Sequence, residues 1–220
     1  MNIEYKGYTI KIEQDEFPEC SRDERDNLGT MICFHRKYNI GDKHTFKNPD
    51  DFFVSLLVEA NAFSTQEDAE EFLEDCYSRY HEFDFTEDII KKLQEYYHIL
   101  PIYMYDHSGI TINTTGFSCR WDSGKIGWIY VSKEDCKDII AQEQAEAVLK
   151  AEVQELDYYL TGEIYEYSVT QGENEEILDS CSGYYGNDHE KSGLLAEARE
   201  FIDNSIKEEN PLFEYAGILD

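Results

Sequence analysis

The sequence predicts an α+β fold, a mostly antiparallel sheet packed with about five helices. Three observations predict it. Strand-like and helix-like stretches are interspersed without regular βαβ alternation. Three helical patterns follow one another between residues 48 and 100. "EIYEYSVTQGENEEILDSCSGYYG" (163–186) reads as a hairpin turning at "QGEN". A chain of 220 residues can bury a sizeable core as one large or two small domains. We expect a single acidic domain over 1–220. The alternative is a subdivision near residue 138, with 1–137 mixed α+β and 138–220 a strongly acidic helix–hairpin–helix.

Tyr8 to Ile12 alternate apolar and polar after a turn at Gly7, giving a strand near 8–14, alone or in a hairpin. "FPECSRDERDNLG" is polar, carries proline and ends in glycine, so it is a loop. "TMICFH" is β-branched and aromatic, a strand near 30–35. "NPDDFFVSLLVEANAF" opens a helix with Asn48 as N-cap, Pro49 in its first position and acids in its first turn. In "STQEDAEEFLEDCYSRY", Ser64 and Glu67 form a capping box ahead of Ala69, Phe72, Leu73, Cys76 and Tyr80 at helical spacing. "TEDIIKKLQEYYHIL" repeats the pattern with Thr86 as cap. Strands near 101–105 and 126–131 follow, with turns at "DHSG" and "WDSGK". A helix begins at Ser132 and continues, or bends, into a longer one that closes at Gly162. The hairpin strands lie near 163–170 and 176–182, and "EKSGLLAEAREFIDNSIKEE" is the final helix.

The chain carries 48 Asp and Glu against 19 Lys and Arg, a net charge of −29. Its 41% hydrophobic and 14% aromatic content separates it from disordered acidic tails. Such a surface repels nucleic acid, whose binding needs Lys and Arg to displace counterions, and it disfavours anionic membranes. The expected partner is basic: a metal ion, a cationic ligand, or a protein with a positive groove. The opening "MNIEYKGYTIKIEQDE" has no basic region followed by an apolar core, so no signal peptide is expected. No stretch approaches the roughly 18 apolar residues of a membrane span. The six cysteines are scattered with no C-x-x-C pair, so reduced thiols are expected and no metal or cofactor.

Acidity is uneven. Residues 1–137 hold 27 acids and 15 bases, whereas 138–220 hold 21 and 4. The long helix carries Glu143, Glu146, Glu152, Glu155 and Asp157, and the hairpin region adds Glu163, Glu166, Glu173, Glu175 and Glu176. Carboxylates one helical turn apart stand about 5.4 Å from each other, comparable with phosphates along a nucleic-acid strand. Like charges at that spacing weaken a helix, so something other than stability favours them, unless they serve solubility. As phosphate mimics they would share one solvent-facing side, away from Ala147, Val148, Ala151, Leu156 and Leu160. Tyr158 and Tyr159, with Tyr165 and Tyr184, are either core or interface anchors.

Two stretches hold residue types that do chemistry. In "DNLGTMICFHRKYNIGDKH", Arg36, Lys37 and Lys43 crowd with His35 and His44. Cys33 and His35 are two apart and would share a strand face, and Asp42 and His44 have the same spacing after the glycine turn. "YDHSG" and "CRWDSGKIGW" bring Asp106, His107, Asp122 and Ser123. The bland alternative is a core strand ended by a charge-balancing basic turn, and ordinary hairpin turns. No G-x-S-x-G elbow, phosphate loop, H-E-x-x-H or EF-hand motif occurs.

At "DNLGTMICFHRKYNIGDKH", "PIYMYDHSGITI", "WDSGKIGWIYVSKE" and "YLTGEIYEYSV…LDSCSGYYG" the chain resembles a family of small acidic proteins of bacteriophages and mobile elements. The resemblance covers most of the chain. It implies the cytoplasm of a bacterial host cell, and no catalytic residues carry over from it. By analogy with antirestriction and anti-CRISPR inhibitors that imitate DNA, the expected function is non-enzymatic. The protein would dock acidic surface into the basic groove of a host defence nuclease, without nucleic acid or membrane as direct partners, and could pair as a homodimer. The alternatives are a phage protein-binding module acidic only for solubility, and a hydrolase or metal-dependent enzyme using His35, His44, Asp106 and His107.

Overall fold

The computed structural model describes residues 1–23, 26–79, 86–137, 139–172 and 176–209. Among them are eight strands in two antiparallel sheets and six helices, an α+β fold. The chain divides into two compact units, Met1–Cys20 with Tyr158–Asp220, and Ser21–Asp157. The divide falls at those two points rather than near residue 138, where the charge balance changes.

The unit formed by both chain ends is a sheet covered by one helix. Strands β1 (Asn2–Tyr5) and β2 (Tyr8–Gln14) form a tight hairpin. Its two-residue turn puts Lys6 and Gly7 at φ 51° and 85°, the mirror-image geometry that matches strand twist. β2 pairs with β7 (Ile164–Gln171), and β7 with β8 (Ile177–Tyr185), in the order β1-β2-β7-β8. Period-two alternation sends Tyr8, Ile10, Ile12, Tyr167 and Val169 to one face. There they pack on Leu194, Leu195, Ala198 and Ile202 of the terminal helix Leu194–Glu209. Glu173 and Glu175 lie outside the described residues.

The contiguous unit holds the sheet β3-β6-β4-β5, made from Thr30–Cys33, Ser123–Ser132, Tyr97–Asp106 and Ile110–Asn113. Three helices, α1 (Pro49–Glu59), α2 (Gln66–Arg79) and α3 (Thr86–Leu93), share a core with Ile32, Ile99 and Trp128. Trp128 packs against Phe52, stacked with centroids 6.0 Å apart, and against the edge of Phe53 at 4.8 Å. After α4 (Lys133–Cys136) comes a 3₁₀ turn, then α5 (Ala145–Thr161). Leu149 of α5 reaches the space beside Ile129 that Gly29 leaves open; a Cβ at Gly29 would lie 2.4 Å from its Cδ2.

Caps explain the helix starts. Asn48 Oδ1 accepts from the Asp51 N–H at 2.9 Å, with Pro49 opening α1. For α2 the capping residue is Thr65, not Ser64: its hydroxyl accepts from Asp68 N at 3.1 Å and donates to the Asp68 carboxylate at 2.8 Å. Ser132 caps α4, which ends after four residues instead of continuing into α5. "WDSGK" is not a turn either; Ser123 already opens β6, paired with Tyr105.

Candidate functional site

The buried stripe of α5 is Ala145, Leu149, Glu152, Val153 and Leu156. Ala147 and Ala151, expected on the apolar side, are exposed. This corrects the predicted solvent-facing row of carboxylates. Glu152 is 9% exposed, and its position i+3 from Leu149 and four before Leu156 puts it inward. It accepts from Leu28 N at 2.7 Å and from Gly29 N at 3.2 Å. Arg22 Nη1 donates to it at 2.9 Å, while Arg22 Nε and Nη2 take Asp42, and Nη2 also reaches the Gly29 carbonyl. Burial opposes the Arg22 charge, but Asp42 and Glu152 outweigh it and hold the guanidinium above its ordinary pKa. Asp42 also accepts from Met31 N at 2.8 Å.

Asp157 is likewise engaged. Its Oδ1 accepts from the Thr111 hydroxyl and from Ile112 N, both at 2.8 Å, tying the end of α5 to β5. Glu155 is half-buried. Glu143 lies in the 3₁₀ turn before α5 and not on the helix as expected; of this set only it and Glu146 are open to solvent, and Glu146 lies 3.6 Å from Lys150. A row of phosphate-like charges along α5 is therefore not formed, because the helix needs that side for packing.

In the other unit Glu176 is exposed, and Glu163 and Glu166 are partly exposed. The Tyr158 ring lies over Gly186, where a Cβ would come within 2.9 Å of it; Tyr159 is half-buried. Glu166 stands directly opposite Glu13 across the β2–β7 pair, on the face turned away from the helix. Burial first, then the charges of Asp15, Glu13 and Glu16, push its carboxyl above the usual range. The same sheet face carries a concavity of about 720 Å³ in which Glu4, Glu13 and Glu166 are joined by Ser168, Thr170 and Ser180. Lys11 offsets part of this charge through Glu13, at 2.7 Å. Glu13 was missed in the sequence because its partner Glu166 lies at the other end of the chain.

Most of the basic stretch is held in local contacts. β3 stops at Cys33, so His35 does not share its strand face. Burial, then Asp42, pushes the Cys33 thiol up to about 12, far from a thiolate nucleophile. His35 accepts from Lys37 N and Tyr38 N and stacks on Tyr38. His44 sits against Phe34 and Phe46, with Nε2 3.0 Å from the Cys33 carbonyl. Arg36 and Lys37 are exposed, and Lys37 comes within 3.8 Å of Asp106. The second constellation does bring His107 Nδ1 within 3.5 Å of Asp122. However, the Ser123 hydroxyl donates to the Cys119 carbonyl, so Ser, His and Asp are not strung into a relay. All six cysteines are free thiols. Among the described residues no group of three or more His, Cys, Asp or Glu could hold a metal ion, and no helix is long and apolar enough to cross a membrane.

Comparison with protein-family models, with curated proteins and with solved structures returned no match.

Proposed function

We propose that the protein is a non-enzymatic inhibitor, of phage or mobile-element origin, acting in the bacterial cytoplasm. It offers acidic surface to the basic nucleic-acid groove of a host defence nuclease. The observation that carries this reading is the pairing of Glu166 with Glu13, crowded by Asp15 and Glu16. Like charges directly opposite on a sheet lower stability, so the sequence keeps them for something outside the fold. Buried Glu152 and the strand-tying Asp157 drop out of the contact set. Among the described residues, what remains is Glu143, Glu146 and half-buried Glu155 in one unit, and Glu163, Glu166 and Glu176 with Glu13 in the other.

The test is a pull-down from bacterial lysate with the purified chain as bait, at about 0.05 and 0.5 M salt. The screening length for exposed charges falls from roughly 14 Å to roughly 4 Å across that range, so capture of a nucleic-acid-binding nuclease should fail at high salt. Glu13→Gln, Glu163→Gln, Glu166→Gln and Glu176→Gln together should abolish the capture, and each alone should do little. If the fourfold variant captures and inhibits the same protein as well as the parent does, the mimicry is wrong. The acidity would then serve solubility alone.

A further inference from the structure

We infer that the groove between α1 and α2 docks a basic amphipathic helix of a partner protein. The two helices run antiparallel, as the hydrogen bond from the Tyr77 hydroxyl at the end of α2 to Asp50 at the start of α1 requires. Between them lies a cleft of about 930 Å³, within the roughly 300–1,000 Å³ typical of binding clefts. Its floor is apolar: Phe46, Val54, Val58, Leu73 and the Tyr77 ring. One wall carries Asp50, Asp51 and Glu59 from α1, the other Glu70 and Glu74 from α2.

No Lys or Arg lines the cleft, and among the described residues none pairs with any of these five carboxylates. Their hydrogen bonds come from neutral donors: Asp50 from the Tyr77 hydroxyl, Asp51 from the Lys47 backbone N–H, and Glu70 from the Gln66 amide. Asp50 and Asp51 have a structural reason, since acids suit the first turn of a helix. Glu59, Glu70 and Glu74 have none. Glu59 stands in the last turn of α1, where the helix dipole disfavours an anion, and Glu70 and Glu74 are like charges one turn apart.

The stripe order acid, apolar, acid decides the occupant. A free polyamine would use the walls and waste the floor. A helix with an apolar stripe flanked by Lys and Arg uses all three stripes at once. α1 is 11 residues long, about 16 Å, which matches three turns of such a helix. The inference does not depend on the sheet-face mimicry proposed above, and either can fail alone.

The probe is a fluorescently labelled 15-residue peptide with Leu at i, i+3, i+4, i+7 and i+11 and Lys on both flanks. A scrambled peptide of the same composition is the control, and anisotropy is read on the full chain. The patterned peptide should bind at least tenfold more tightly than the scrambled one. Glu59→Gln with Glu70→Gln and Glu74→Gln should weaken it at least tenfold and flatten its salt dependence. Val58→Asn, on the half-buried floor, should weaken it as much at unchanged salt dependence, with circular dichroism confirming a folded chain. A charge-matched set elsewhere, Glu134→Gln with Glu200→Gln and Glu208→Gln, should leave binding within twofold. Equal binding of the two peptides, or an equal loss in the charge-matched set, would reduce the groove to unspecific attraction and overturn the inference. So would no binding, or occupation of the cleft by a second copy of the chain.

Discussion

Replacing Glu152 by Ala removes one end of a buried charge network and should be far more damaging than any other acidic change on α5. Three partners lose their acceptor: Arg22 Nη1 at 2.9 Å, Leu28 N at 2.7 Å and the buried Gly29 N at 3.2 Å. The Arg22 side chain is only 4% exposed, so water cannot replace what is lost. Breaking a buried ion pair from one side typically costs about 3–5 kcal/mol, and an orphaned buried N–H about 1–3. Asp42 still holds Arg22, so the two do not add fully, and we expect about 4 kcal/mol. At roughly 2–4 °C per kcal/mol for chains of this size, the melting temperature should fall by about 8–16 °C. Thermal unfolding followed by circular dichroism measures that shift, and urea unfolding the free energy. Glu143→Ala removes the same charge from an exposed site and should stay within about 0.5 kcal/mol of the parent. Glu152→Gln, which keeps an acceptor for both N–H groups, should fall between them. If Glu152→Ala and Glu143→Ala unfold within about 1 kcal/mol of each other, the network does not hold this unit together.

Glu166→Gln should stabilise the protein at pH 7 by roughly 0.2–1 kcal/mol, since it removes a like-charge pair. The native carboxyl is raised above its unfolded value, so the parent is penalised while ionised; the penalty disappears as pH falls through that raised value. Melting curves at pH 7 and pH 4 should show the advantage at the first and little at the second, and an advantage growing towards acid would contradict the assigned cause. The two tryptophans should separate in acrylamide quenching, because Trp121 is 95% exposed and Trp128 4%. A single quenching population, or one removed by Trp128→Phe instead of Trp121→Phe, would show the assignment reversed.

Local signals were legible and distant ones were not. Asn48 and Pro49 announce α1, and Gly7 marks the turn from β1 to β2, because a cap or a turn is written in adjacent residues. Thr65 took the role read for Ser64, since either hydroxyl fits a cap and only packing decides the register. Glu152 was read as surface because its apolar neighbours allow two helical faces. One clue was present: Leu149, Val153 and Leu156 enclose it at helical spacing, and a charge inside an apolar stripe implies a buried partner. Naming Arg22 as that partner needed a contact across 130 residues. The unit boundaries left no trace in composition for the same reason. β2 pairs with β7 from the far end of the chain, and such pairing has no local signature. The acidic walls of the α1–α2 groove look, in sequence, like ordinary solvated helix faces.

That far pairing sets an order of assembly during synthesis. The β1–β2 hairpin emerges from the ribosome ahead of Ser21–Asp157, with Tyr8, Ile10 and Ile12 ready to be covered, yet β7 and the terminal helix are translated only after that stretch. At about 5–20 residues per second that delay is roughly 7–27 s, ample for the contiguous unit to fold on its own. The nascent hairpin must keep its apolar face from sticking until its partners arrive. Lys6, Lys11 and Glu13 are placed to do so, as charged gatekeepers beside an unfinished strand edge.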